Sequence, residues 1–169
     1  SVPPMTLDPI QFVGVSRSEG EGPGWAGLID MQPVTIGPHS CVEVDLDAGS
    51  LTTAFITLEL SGGAGSRIEL TAAECYEDEP IDLPWLRAKG DRTDAVSGDL
   101  YGDPDLYRVD GWGDSKSPET YSPFWFRTLR YLRVSVQTGE AALTLERLSL
   151  TETHYPLAVT GAFRSSSEL

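Results

Sequence analysis

Acidic side chains dominate the groups that could do chemistry here, with 26 Asp and Glu against 12 Lys and Arg, two histidines and two cysteines in 169 residues. Glu74, Glu77, Asp91 and Asp94 fall close together in one irregular stretch. Glycoside hydrolysis needs two carboxyl groups held at a set separation across a sugar. In a chain this acidic almost any pair can be nominated, and a solvated acidic loop outweighs that reading, so no catalytic residue is assigned. His39 and His154 lie far from any nucleophile signature; GPHS lacks the G-x-S-x-G of a nucleophile elbow. Cys41 and Cys75 lack the paired spacing of a zinc site, and GGAGS lacks the Lys-Ser/Thr of a phosphate loop.

Two binding chemistries remain. GDPD supplies Asp103 and Asp105, with Asp91, Asp94 and Asp99 nearby. Oxygen ligands at alternating positions suit calcium as a cofactor, although the rest of an EF-hand loop is missing. Sugar binding fits the composition better. Aromatic faces stack on the apolar faces of sugars while Asp and Arg bond to hydroxyls. Trp85, Arg92, Asp94, Tyr101 and Trp112 are the candidate carbohydrate-binding residues, against the competing reading that Trp85 and Trp112 cap a core. A net charge of −14 repels phosphate backbones and anionic lipid surfaces, which excludes nucleic acid and membrane as expected partners. No asparagine is present, hence no N-glycosylation sequon.

The elements that must position these residues read as strands. CVEVDLD alternates Val42, Val44 and Leu46 with Glu43, Asp45 and Asp47. After AGS, LTTAFITLEL sets Ala54, Ile56, Leu58 and Leu60 on one side. SGGAGS then predicts a turn, and RIELTAAE a returning strand with Ile68, Leu70 and Ala72 inward, together a hairpin. DLYRVDGW and ALTLERLSLTET are further strands, and IQFVGV and MQPVTI weaker ones within residues 1–40. Between Cys75 and Gly102 the pattern breaks into a long polar loop, of the kind that is usually functional or disordered. Many short strands joined by Gly/Pro turns predict an all-β protein, an antiparallel β-sandwich of jelly-roll type, as a single domain over 1–169. Both cysteines lie in or beside strand-like runs and are read as two buried thiols rather than a disulfide.

Six segments occur in an order that resembles a known family: VDLDAGSLTTAFITLELSG, GAGSRIELTAAECYE, RTDAVSGDLYG, DLYRVDG, ETYSPFWFRTLRYLRV and HYPLAVTGAFRSSSEL. Together they resemble the β-sandwich that immediately precedes the catalytic barrel in bacterial-type α-L-rhamnosidases, which occur also in fungi. The resemblance covers about residues 41–169, with Thr128 and Leu129 departing from the family's usual glycine and phenylalanine. It implies a non-catalytic module whose partner is its own (α/α)6 catalytic barrel, residues 155–169 beginning the link to it. Catalytic acids of the family lie in that barrel, so none carries over. Rhamnose-containing glycans are the implied ligands, and secretion is favoured over a cytoplasmic location. A stand-alone carbohydrate-binding module, or a module of a rhamnose–glucuronate lyase, is the alternative.

SPFWFRTLRYLRV, residues 122–134, concentrates three arginines and four aromatics. Both of its parities mix apolar bulk with arginine, which predicts a bulge or bend near Arg127-Thr128. Arg130 is the expected partly buried cation of a structural ion pair, with Glu74 as its partner.

Overall fold

A computed structural model describes residues 2–20, 22, 24–78, 90–157, 160–162, 164 and 166. Among these residues, nine strands and one four-residue helix, α1 (Ala26–Ile29), follow in the order β1 (Asp8–Ile10), β2 (Gly14–Glu19), α1, β3 (Val34–Ile36), β4 (Cys41–Gly62), β5 (Arg67–Ala73), β6 (Asp105–Arg108), β7 (Glu119–Tyr121), β8 (Arg127–Gln137) and β9 (Leu143–Glu152). All pairings between them are antiparallel. The fold is an all-β antiparallel sandwich, made by curling one continuous sheet.

Strand β4 explains the curl. Its first half, from Cys41 to Asp47, lies between β2 and the second half of β8, with β5 and β6 beyond. Its second half, from Thr52 to Gly62, pairs with β9 and β7, while β1 and β3 flank β9. The strand therefore runs from one layer into the other. Ala48 to Leu51 stand against the single residue Arg130 of β8, because Asp47 pairs with Tyr131 and Thr52 with Leu129. Extra residues on one strand bend it and raise its twist, and Gly49, at φ 84°, adopts a left-handed conformation that glycine tolerates best.

Alternation predicted the inward faces correctly. Val42, Val44, Leu46, Ala54, Ile56, Leu58, Leu60, Ile68 and Leu70 all enter the core, which β9 completes with Leu143, Leu145, Leu148 and Leu150. The pairing of two strands differs from expectation. β4 and β5 do not form a hairpin: β8 lies between them, and SGGAGS carries the chain from one layer to the other. Two inward-facing strands joined by a glycine turn read alike whether they pair or pack face to face. CVEVDLD and LTTAFITLEL form one strand, with AGS as the bulge inside it.

In β8 the change of face falls at Arg130-Tyr131, not at Arg127-Thr128. Leu129 enters the core on odd parity and Leu132, Val134 and Val136 on even parity. The excess residues that cause it belong to β4. Cys75 is buried, but Cys41, at the outward start of β4, is exposed; the two do not form a disulfide. No helix among the described residues is long and apolar enough to cross a membrane.

Candidate functional site

Both layers have an outer face, and the two are finished differently. On the first layer, one rung across the sheet reads Arg17 of β2, Asp45 of β4, Arg133 of β8 and Thr71 of β5. Asp45 belongs to the polar parity of its strand yet is only 1% exposed. The chain after β5 explains this, because residues 74–78 and 90–100 cover the face. Tyr76 packs there with Ala73, Leu100 and Tyr131 as a second, smaller core.

The coverage is tied by charge. Arg133 donates to both oxygens of Asp45, at 2.8 and 3.0 Å, and the Tyr76 hydroxyl donates at 2.9 Å. Arg17 Nε stands 3.2 Å from the same carboxylate. From the covering loop, Asp99 Oδ1 accepts from Arg17 Nη2 and Arg133 Nη2, both at 2.6 Å, and from the Leu100 amide at 2.8 Å. Arg17 also donates to the Gly98 carbonyl. Burial pushes the Asp45 carboxyl up to about 6, opposed by the Tyr76 hydrogen bond and Arg17, which leaves it ionised at neutral pH. Burial, then the charge of Asp45, raises the Tyr76 hydroxyl above its ordinary range, so it remains a donor.

A second buried carboxylate closes the seam between the layers. Glu119 of β7, 1% exposed, accepts from the Tyr107 hydroxyl at 2.6 Å and from the amides of Asp110 and Gly111, each at 2.8 Å. Burial would raise its carboxyl, but Tyr107 and the amides of Asp110, Gly111 and Trp112 outweigh it and hold the group below the ordinary glutamate range. Tyr107 stacks on Tyr121 across the same seam, with ring centroids 4.4 Å apart.

The outer face of the second layer carries aromatics instead of ions. Phe55 points away from the core between Ala54 and Ile56, and Phe126 meets it edge-on at 5.9 Å. Trp125 lies against Phe126 at 5.1 Å. Trp125 is 59% exposed and Phe124 98%. Thr53 and Thr128 are cross-strand partners beside this pair, and with Leu51, Glu152 and His154 they line a shallow groove continuing the strip. The two arginines at the strip are already engaged: Arg127 by Asp105 through a two-pronged pair at 2.9 and 2.5 Å, and Arg130 by Asp47 at 3.2 Å.

The described residues among those expected to bind sugar are not gathered into one place. Trp85 lies outside the described residues. Arg92 is exposed, and its carbonyl accepts the Tyr76 amide; the Asp94 carboxylate caps the turn at Val96-Ser97. Tyr101 borders a shallow groove with Ala72, Ala73, Glu74 and Thr128, at the end of β5. Trp112 is exposed at the opposite end of that strand, where Gly111 lies on Ala64. Six residue steps of β5 separate the two by roughly 20 Å.

Asp105 and Arg130, named for calcium and for the ion pair, have other partners. Both oxygens of Asp105 are taken by Arg127, and among the described residues no three His, Cys, Asp or Glu side chains gather to hold a metal ion. Arg130 pairs with Asp47, not with Glu74, which is exposed. β5 ends at Ala73, one residue before Glu74 would stand opposite Arg130 in the ladder, whereas the β4 bulge brings Asp47 alongside.

No family model matches the chain, and neither does any curated protein. Solved structures do resemble it. A rhamnosidase from Klebsiella oxytoca with rhamnose bound matches 98% of this chain with 32% of its own, at 14% identity and a TM-score of 0.60. The GH78 family rhamnosidase of Bacillus sp. GL1 matches 84% of this chain with 14% of its own, at 19% identity and a TM-score of 0.55. The family 32 carbohydrate-binding module of AlyQ, in complex with 4,5-unsaturated mannuronic acid, matches 84% of this chain with 96% of its own, at 14% identity and a TM-score of 0.50. At these identities the likeness is one of fold: a β-sandwich seen both within glycoside hydrolase chains and as a carbohydrate-binding module.

Proposed function

We propose that this chain is a non-catalytic accessory module of an α-L-rhamnosidase-like glycoside hydrolase, supporting that enzyme's catalytic barrel. The observation that carries the reading is the match of 98% of this chain to about a third of a rhamnosidase chain. A part, not the whole, of such an enzyme is what the chain resembles, and the inference from it is one of fold analogy. The buried carboxylates agree with it. Asp45 and Glu119 are each surrounded by donors from their own chain, and neither is aimed at an open cleft as an acid or nucleophile would be. Incubating the purified chain with nitrophenyl α-L-rhamnoside tests the reading: no release of nitrophenol above buffer is expected. Turnover by this chain alone would overturn it.

A further inference from the structure

Resting on the reading of the chain as a module of a carbohydrate-active enzyme, we propose that the strip from Leu51 to Phe55 and from Phe124 to Thr128 binds a chain of neutral pyranose units. Strand geometry makes the strip about 13 Å long between Leu51 and Phe55, room for two to three sugar rings. Its middle is aromatic, with Phe126 in contact with both Phe55 and Trp125, and Phe124 fully presented to solvent. Such a surface fits the C–H face of a pyranose, and a 6-deoxy sugar adds a methyl group to that face. Beside Thr53 and Thr128 the groove also carries Glu152 and His154. Thr53 donates to the Thr153 carbonyl and Glu152 accepts from Thr52, so the second carboxylate oxygen of Glu152, the Thr128 hydroxyl and Nε2 of His154 are the groups offered to sugar hydroxyls.

Charge selects among sugars. Arg127 and Arg130, the guanidinium groups closest in sequence to the strip's aromatics, are already paired with Asp105 and Asp47. A polyuronate would thus meet a chain of net charge −14 with those two cations occupied. The ligand the strip favours is therefore a neutral glycan, a rhamnose-rich one if the parent enzyme cuts rhamnosides.

Affinity electrophoresis in gels containing a neutral rhamnan or polygalacturonate tests the proposal. The chain is expected to be retarded by rhamnan and not by polygalacturonate. Trp125→Ala should weaken retardation about tenfold, and Phe124→Ala should weaken it without altering the melting temperature, since that ring has almost no protein contact. Trp112→Ala, which removes an equally exposed tryptophan elsewhere, should change nothing. The proposal is overturned if rhamnan does not retard the chain, if polygalacturonate retards it as well, or if neither strip variant weakens binding. An equal loss in Trp112→Ala overturns it too. Any of these outcomes leaves the accessory-module reading standing, because that reading falls only to rhamnoside turnover.

Discussion

The two outer faces of the sandwich grow from the same two strands, β4 and β8, and end in opposite chemistry. Where β4 and β8 belong to the first layer, their outward residues Asp45 and Arg133 are charged and roofed by the chain's own loop. Where they belong to the second, on the far side of the bulge, the outward Phe55 of β4 and Phe126, immediately before β8, are aromatic and have no roof among the described residues. An ionic surface can be buried because each charge meets its partner within the same chain; a desolvated ion without one is costly. An aromatic surface left open has no such internal answer, and contiguous exposed apolar patches on proteins mark places where something binds. The roofed face is therefore structural, and the bare one is the face proposed above to take a glycan.

The largest effect expected from breaking this contrast is on the roofed side. Asp45→Ala removes the buried partner shared by Arg17, Arg133 and Tyr76, leaving the Tyr76 hydroxyl without its acceptor and the two arginines to Asp99 and Glu43. It should cost about 3 kcal/mol in urea unfolding, and a loss below about 1 kcal/mol would show that the rung is dispensable. Glu119→Gln keeps the shape of the seam carboxylate but removes its charge, with an expected cost of about 2 kcal/mol. Its pH dependence follows from the depressed carboxyl. That stabilisation is present above the ordinary glutamate range and disappears as pH falls through the lower value in the folded protein. The stability gap between Glu119→Gln and the parent chain should consequently be widest at neutral pH and narrow on acidification. A gap that widens toward acid contradicts the assignment.

Asp99→Ala acts on the roof alone. Its side chain is about half exposed, so the global cost should be near 1 kcal/mol or less. Amide exchange at the Tyr76, Glu77 and Asp99 amides, which hold the two arms of the roof together, should accelerate nonetheless. Unchanged exchange there would mean that Asp99 does not hold the roof down. The smallest effect belongs to the bare face: Trp125→Ala should shift stability by no more than about 0.5 kcal/mol. A larger loss would make that ring part of the core.

The contrast was only half legible in the sequence. Alternation gave the inward residues of β4 and β5, because period-two burial is written directly in CVEVDLD and RIELTAA. It could not show that β4 and β5 pack in different layers, since pairing partners leave no mark on either strand. It also placed Asp45 on a solvated face. The roof that buries it comes from residues 76 and 98–100, whose polar composition resembles any surface loop. Sequence drew attention to the aromatic stretch at 122–134 but sought the sugar-binding residues in the long loop and at Trp112. The strip forms only when the β4 bulge sets Leu51, Thr53 and Phe55 beside Phe126 and Thr128, a juxtaposition of residues some 75 positions apart. Mixed parity in β8 was the one local sign of it, and its cause is the passage of that strand between layers.

One titration tests the contrast between the two faces most directly. Amide chemical shifts of the 15N-labelled chain, followed while a neutral rhamno-oligosaccharide is added, should move at residues 51–55 and 124–128. The roof, including Arg92, Asp94 and Leu100, and the loop around Trp112 should stay still. Shifts centred on the roof or on Trp112, or none anywhere, would contradict the account.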